Sequence, residues 1–216
     1  MSTVTTLIFD LSDVLIGGMG DIVAPLPSAL GLSEDRCYEL VNGQWLVELC
    51  CGEISEDEYL GRILSCRVNG SPGMEPQEMK RLIRLGFHHQ VYGMEALVRL
   101  LARRYQAVLL SDHAREWIQY IHEVHPFLSV FPQHFYSYEA GYSKRQGTAF
   151  GNLLKMIRRP PECCLLVDDK PSNIERAKRH GIPGIVFQNV QQLAERLPEY
   201  GVKLSDAELE SVLASV

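Results

Sequence analysis

The sequence predicts a doubly wound α/β sheet with a block of helices inserted after its first strand. Short apolar, β-branched runs recur at residues 5–9 (TTLIF), 107–110 (AVLL), 163–167 (CCLLV) and 184–187 (GIVF). Runs of this kind and length read as strands buried on both faces. Amphipathic helical patterns separate the later runs, and alternating strand and helix favours a parallel sheet. Residues 17–91 break that rhythm, carrying helix signals and no clear strand before residue 107.

In chain order, the first strand ends at Asp10 and a glycine-rich turn (Gly17, Gly18, Gly20) follows. Ser33 stands before Glu34 and Asp35, and Ser55 before Glu56, Asp57 and Glu58. A small hydroxyl cap followed by an acidic first turn marks a helix start. Residues 69–76 (NGSPGMEP) form a loop. Helical periodicity returns over residues 94–104, then over residues 147–158 with Phe150, Leu153, Leu154 and Ile157 on one face. A third such stretch runs from Ile174 to His180 and closes on Gly181, a C-cap residue. Arg158, Arg159, Pro160 and Pro161 make the loop before the third apolar run, and Ser205 with Glu208 three residues on predicts a final helix with a capping box. The expected organisation is a discontinuous core of residues 1–16 and 92–216 and a helical cap of residues 17–91. A chain of 216 residues accommodates that arrangement, whereas two independent domains would be cramped.

Composition narrows the function classes. Apolar residues make up 46% and charged residues 22%, the balance of a globular protein, and the formal charge is −6. That charge offers no basic face, so neither nucleic acid nor an anionic membrane is expected as a partner. A small anionic substrate would need local cations. The N-terminus MSTVTTLIFD lacks the basic and long apolar stretches of a signal peptide, and no apolar run could span a bilayer, so a cytoplasmic protein is expected. The six cysteines include the adjacent pairs Cys50/Cys51 and Cys163/Cys164 but no CxxC, and no HxxxH accompanies them. They read as reduced thiols without metal. Oligomeric state, monomer or homodimer, is open at this point.

In open α/β sheets ligands bind beyond the carboxyl ends of the strands. The polar residues placed there are Asp10, then Ser111 and Asp112, then Lys144 in the loop GYSKR, then Asp168 and Asp169. Three converging carboxylates, Asp10, Asp168 and Asp169, repel one another unless a hard cation sits among them, and Mg²⁺ suits oxygen ligands. With that metal and Lys144 neutralising a phosphate, and Ser111 donating to it, a carboxylate can approach phosphorus.

The order and wording of these segments resemble the haloacid dehalogenase (HAD) superfamily along essentially the whole chain. LIFDLSDVL resembles its motif I, VLLSDH motif II, GYSKR motif III and LLVDDKPSNIERAKRHGI motif IV. The inserted helices resemble a C1 cap, and GEISEDEYL (residues 52–60) resembles the sugar-phosphate phosphatase branch whose motif I reads DLGNVL. The resemblance implies a Rossmann-like core and a Mg²⁺-dependent phosphatase acting on a small phosphorylated metabolite through an aspartyl-phosphate. It implies Asp10 as nucleophile, Ser111 and Lys144 as catalytic and phosphate-binding residues, and Asp112 beside the substrate. Asp10, the Ser12 carbonyl, Asp168 and Asp169 would be metal ligands, with Asn173 orienting them.

One departure bears on rate. HAD phosphatases usually carry a second aspartate two residues after the nucleophile as acid and base, and here that position is Ser12. Positioned acid catalysis contributes about 10² to 10⁴ in rate, so good leaving groups are expected. The departure also motivates a catalytically weak or inactive binder of a phosphorylated ligand or protein partner as the alternative reading. A dehalogenase is disfavoured by the acidic pair, and a phosphonatase by the position of Lys80, the single cap lysine. His113, next to the motif II pair, could supply a proton, although a loop or helix-start role is the simpler expectation. Gln44, Trp45, His88, His89 and Tyr92 could face substrate from the cap, with packing or surface roles the simpler expectation.

Overall fold

The computed structural model describes residues 3–19 and 22–214; Gly20 of the predicted turn lies outside them. The chain opens with β1 (Thr6–Phe9), followed by five helices, α1 (Leu26–Leu30), α2 (Glu34–Asn42), α3 (Gln44–Cys50), α4 (Glu56–Ser65) and α5 (Pro76–Phe87). Strand and helix then alternate: α6 (Met94–Leu101), β2 (Gln106–Ser111), α7 (Arg115–Val124), β3 (Gln133–Tyr136), α8 (Ser137–Ala140), α9 (Ala149–Ile157), β4 (Cys164–Asp168), α10 (Pro171–Arg179) and β5 (Gly184–Val186). Helices α11 (Val190–Arg196) and α12 (Asp206–Leu213) complete the described chain.

The strands form one parallel sheet in the order β3-β2-β1-β4-β5, with Leu7 in register with Ala107 on one side and Leu165 on the other. Alternation along the strands divides the apolar residues between two layers. Ile8, Val108 and Leu166 pack under Phe150 and Leu153 of α9 and Ile174 of α10. Leu7, Phe9, Leu109 and Val167 face the other way, into a core shared with α6, α7, α11, α12 and the inserted helices. Helices on both faces leave no solvent side to a parallel sheet, which is why these strands read as unbroken apolar runs.

The strand missing from the sequence expectation is β3. Its residues, QHFY, are partly exposed at the sheet edge, so burial on two faces does not write an apolar run there. It forms because its backbone pairs with β2, Val108 opposite Gln133 through Ser111 opposite Tyr136.

The predicted caps are present at Ser33 and Ser55, each accepting a backbone N–H three residues on, and Ser205 with Glu208 makes the reciprocal capping box. The chain leaves and re-enters the sheet region through two adjacent segments. Gly17 donates to the His89 carbonyl at 2.6 Å and Val91 to the Leu15 carbonyl at 3.1 Å. A Cβ on Gly17 would stand 2.8 Å from the Gly86 carbonyl oxygen, so only glycine lets the two connections lie this close.

Candidate active site

Because the connection leaves β1 toward the inserted helices and β4 returns on the opposite side of β1, the carboxyl ends of β1 and β4 lie at the point where strand order reverses, the usual place for a ligand crevice. Asp10 stands one residue past β1 and Asp168 ends β4, and both are buried. Lys144, on the loop between α8 and α9, reaches between them, its Nζ 2.7 Å from Asp10 Oδ2 and 2.9 Å from Asp168 Oδ2.

Each partner is fixed by its own neighbours. Asp10 Oδ1 accepts the Leu11 N–H at 2.7 Å. Asp168 accepts from the Lys170 backbone and twice from Asn173 Nδ2, at 2.9 and 3.0 Å. With Lys144 added, these bonds fix the orientation of the Asp168 carboxylate. Both Asp112 oxygens accept the Lys144 backbone N–H at 3.0 Å, so this carboxylate is turned to the loop that carries the lysine.

Burial raises the Asp10 carboxyl to about 7, against the pull of Lys144 and with Asp168 adding to the rise. Burial also pushes Asp168 up, but Lys144, Lys170 and Asn173 bring it below its ordinary value. For Lys144 burial opposes the charge, and Asp10, Asp168 and Asp112 outweigh it, holding the ammonium above its usual range. Asp169 and Asp112 are both raised, chiefly by burial.

Among the described residues, two of the buried side-chain atoms without a hydrogen-bond partner suit a ligand. Asp169 Oδ1 has no hydrogen bond, and ligand oxygens of Asp10, Asp168 and Asp169 lie within 4.8 Å of one another. Hard oxygen donors gathered this closely fit a divalent cation such as Mg²⁺. The second orphan is Ser111 Oγ at the end of β2, a donor suited to an anion.

The position two residues past Asp10 carries a further contact. Ser12 Oγ and His113 Nε2 are 2.7 Å apart, and the buried His113 ring meets Phe87 and Trp117 edge-on. Burial, then Lys144 and Lys170, lower its pKa to about 3, so His113 is a neutral hydrogen-bonding group rather than a proton reservoir.

A cavity of about 720 Å³ opens over these groups, lined below by Asp10, Ser12, Ser111, Asp112, His113, Lys144 and Asn173. Its roof comes from Tyr38, Val41 and Asn42 of α2 and Leu46, Val47 and Cys50 of α3. The cap residues singled out from sequence do not line it. Trp45 packs against the core, His88 bonds Tyr120, and Tyr92 is 75% exposed. Gln44 and His89 are likewise absent from its lining. Sequence reasoning missed Arg145 and Lys170 at the cavity, and also the roof residues, which as single members of an amphipathic helix carry no distinguishing signal.

No protein-family model matches the chain. Flavin mononucleotide hydrolase 1 of Arabidopsis thaliana, a chloroplast protein, is 22% identical over 199 residues, covering 92% of this chain and 78% of that protein. A HAD family enzyme of Bacteroides thetaiotaomicron, crystallised with magnesium and inorganic phosphate, superposes with a TM-score of 0.72 at 16% identity, covering 86% of this chain and 95% of that one. A predicted HAD-like hydrolase of Porphyromonas gingivalis gives a TM-score of 0.73 at 19% identity over 94% of this chain and all of its own. With its strand order and this whole-length similarity, the chain carries the HAD-like hydrolase fold.

Proposed function

We propose that this protein is a Mg²⁺-dependent phosphatase that hydrolyses a small-molecule phosphomonoester through an aspartyl-phosphate on Asp10. The observation that carries the reading is the buried Asp10–Lys144–Asp168 array beside the unpartnered Asp169 Oδ1 and Ser111 Oγ. In this reading the array supplies a nucleophile, a cation, a metal-ligand oxygen and a hydrogen-bond donor to phosphate. The magnesium-and-phosphate complex of the Bacteroides relative supports the same assignment.

In this reading Asp10, Asp168, Asp169 and the Ser12 carbonyl hold the metal, with Asn173 keeping Asp168 in place. When bound, Mg²⁺ supplies positive charge that offsets the phosphate and keeps Asp10 ionised. Lys144 and Ser111 hold phosphoryl oxygens, and Asp112 keeps the Lys144 backbone in position at the substrate's edge. Asp10 forms a bond to phosphorus as the bond to the leaving oxygen breaks, its electron pair going to that oxygen. Water then attacks the aspartyl-phosphate, releasing inorganic phosphate and restoring the carboxylate.

Residues 1–16 and 92–216 make the catalytic core in this proposal, and residues 17–91 the cap that shapes the leaving-group site. The cavity is large enough for a metabolite well beyond phosphate itself, and Val41, Leu46 and Val47 in its roof, beside the polar Glu34, Asp35 and Asn42, suit a leaving group with both apolar and polar parts. Flavin mononucleotide therefore belongs in a substrate screen with sugar phosphates. Six free thiols suit a reducing compartment such as the cytoplasm.

The test is turnover of an aryl phosphate with Mg²⁺ and with chelator, for wild type and Asp10→Asn. Metal-dependent turnover confined to wild type supports the reading. Equal rates for both proteins would leave a non-catalytic binder of phosphorylated ligands as the better account.

A further inference from the structure

The aspartate usual at the second position of motif I is a serine here, and the structure gives that serine a partner. Ser12 Oγ lies 2.7 Å from His113 Nε2, and both residues line the cavity. His113 Nδ1 is buried and has no partner among the described residues. A neutral imidazole carries one N–H, and the two tautomers differ in what they leave unpaired. A proton on Nδ1 would leave a buried N–H orphaned, which native structures rarely tolerate. A proton on Nε2 donates to Ser12 Oγ and leaves only a lone pair on Nδ1. With Oγ already accepting from His113, the serine's own hydrogen is free to point into the cavity.

We propose that His113 is a positioning residue that holds Ser12 as a hydrogen-bond donor to the leaving-group oxygen. The inference rests on the phosphatase reading. During the step, the Asp10–phosphorus bond forms and the phosphorus–oxygen bond of the leaving group breaks. The departing oxygen keeps the electron pair, stabilised by the Ser12 hydroxyl, and takes its proton from water. A donor that stabilises without giving up its proton helps a basic leaving group only partly, so the enzyme favours esters of acidic alcohols, phenols and enols.

The ring is held by one inserted helix and one core helix. Phe87, at the end of α5, and Trp117, on α7, meet it edge-on with ring centres 5.5 and 6.0 Å away. Trp117 is itself bonded to Glu56 of α4. The orientation of Ser12 is therefore set jointly by the core and the inserted helices.

The experiment measures kcat/KM with Mg²⁺ on aryl and alkyl phosphates of graded leaving-group basicity. It uses wild type, Ser12→Ala, His113→Phe, His113→Gln and the double variant Ser12→Ala/His113→Phe. Ser12→Ala and His113→Phe are each expected to lose about tenfold on the most basic leaving groups and little on the most acidic. The double variant should lose no more than either single one, and His113→Gln, which keeps an N–H near the Nε2 position, should recover most of the rate. Equal losses across all leaving groups, or losses that multiply in the double variant, would overturn the proposal. Should His113→Phe fail to fold, an unchanged leaving-group dependence in Ser12→Ala alone overturns it. Absence of any metal-dependent turnover in wild type would instead remove the phosphatase reading, and this inference with it.

Discussion

The indole Nε1 of Trp117 donates to Glu56 Oε1 at 2.7 Å, joining the helix that follows Ser111 to the first turn of α4 in the inserted segment. Arg84 grips both oxygens of the same buried carboxylate at 2.6 and 2.9 Å, and Lys80 lies 3.8 Å away. One acidic side chain thus ties α4, α5 and α7 together beside the cavity.

Glu56→Ala leaves a partly exposed guanidinium and a buried indole N–H without their acceptor. A buried donor left unsatisfied costs about 1–3 kcal/mol, and urea unfolding should show a loss of that order. Glu56→Gln keeps an acceptor for Trp117 and should lose less. Equal losses would mean that the carboxylate charge, and not the Trp117 contact, dominates.

Lys144→Met removes the cation between two buried carboxylates. In the metal-free protein the expected loss is about 3 kcal/mol or more, and added Mg²⁺ should raise the melting temperature more in the variant than in wild type. An identical Mg²⁺ response in the two proteins would argue that the ion and Lys144 do not share the same carboxylates.

His113 makes stability depend on pH in a defined sense. Its folded-state pKa is about 3, below the ordinary value of 6.5, so between these values the unfolded chain binds a proton that the native state refuses. Stability therefore falls as pH drops through that window, by about 1.4 kcal/mol per pH unit from this group. With chelator present, wild type should lose stability relative to His113→Phe below pH 6.5, and the difference should be flat above it. A flat difference throughout would show that the ring accepts its proton in the folded state.

Gly52 has φ +74°, and a Cβ there would stand 2.9 Å from the Tyr138 carbonyl oxygen. Gly52→Ala should cost about 1–2 kcal/mol from the backbone alone and more from the clash with a backbone atom. Gly61, inside α4 with open space around it, is the control. Gly61→Ala should stabilise by about 0.5–1 kcal/mol through helix propensity, and chemical denaturation of the two variants separates these effects.

Much of the core was legible because parallel strands covered on both faces must be continuously apolar. The runs ending at Asp10, Ser111 and Asp168 announced both the strands and the residues beyond them. The edge strand β3 was not legible, since QHFY pairs on one side only and takes its register from β2. Ser33, Ser55 and Ser205 announced their helices because a cap is satisfied within a few residues. Glu56 read as one more acidic first-turn residue. Its burial depends on Arg84 and Trp117, 28 and 61 positions away, and no local pattern records them.

The sequence by itself determined the order of chemistry along the chain: Asp10, Ser111, Lys144, Asp168 and Asp169, each next to an element whose periodicity predicts its place, and Ser12 where a second aspartate is usual. Local periodicity and capping are enough for that, because they act over one turn or one strand. Only the tertiary structure decided the pairings. It put Lys144 between Asp10 and Asp168, turned Asp112 onto the Lys144 backbone, left Asp169 Oδ1 and Ser111 Oγ open, and brought His113 to Ser12 across 101 positions. Those contacts follow from which strand ends adjoin and which helices cover them, and hydrogen bonds between side chains distant in the chain form only once the sheet has set their separation.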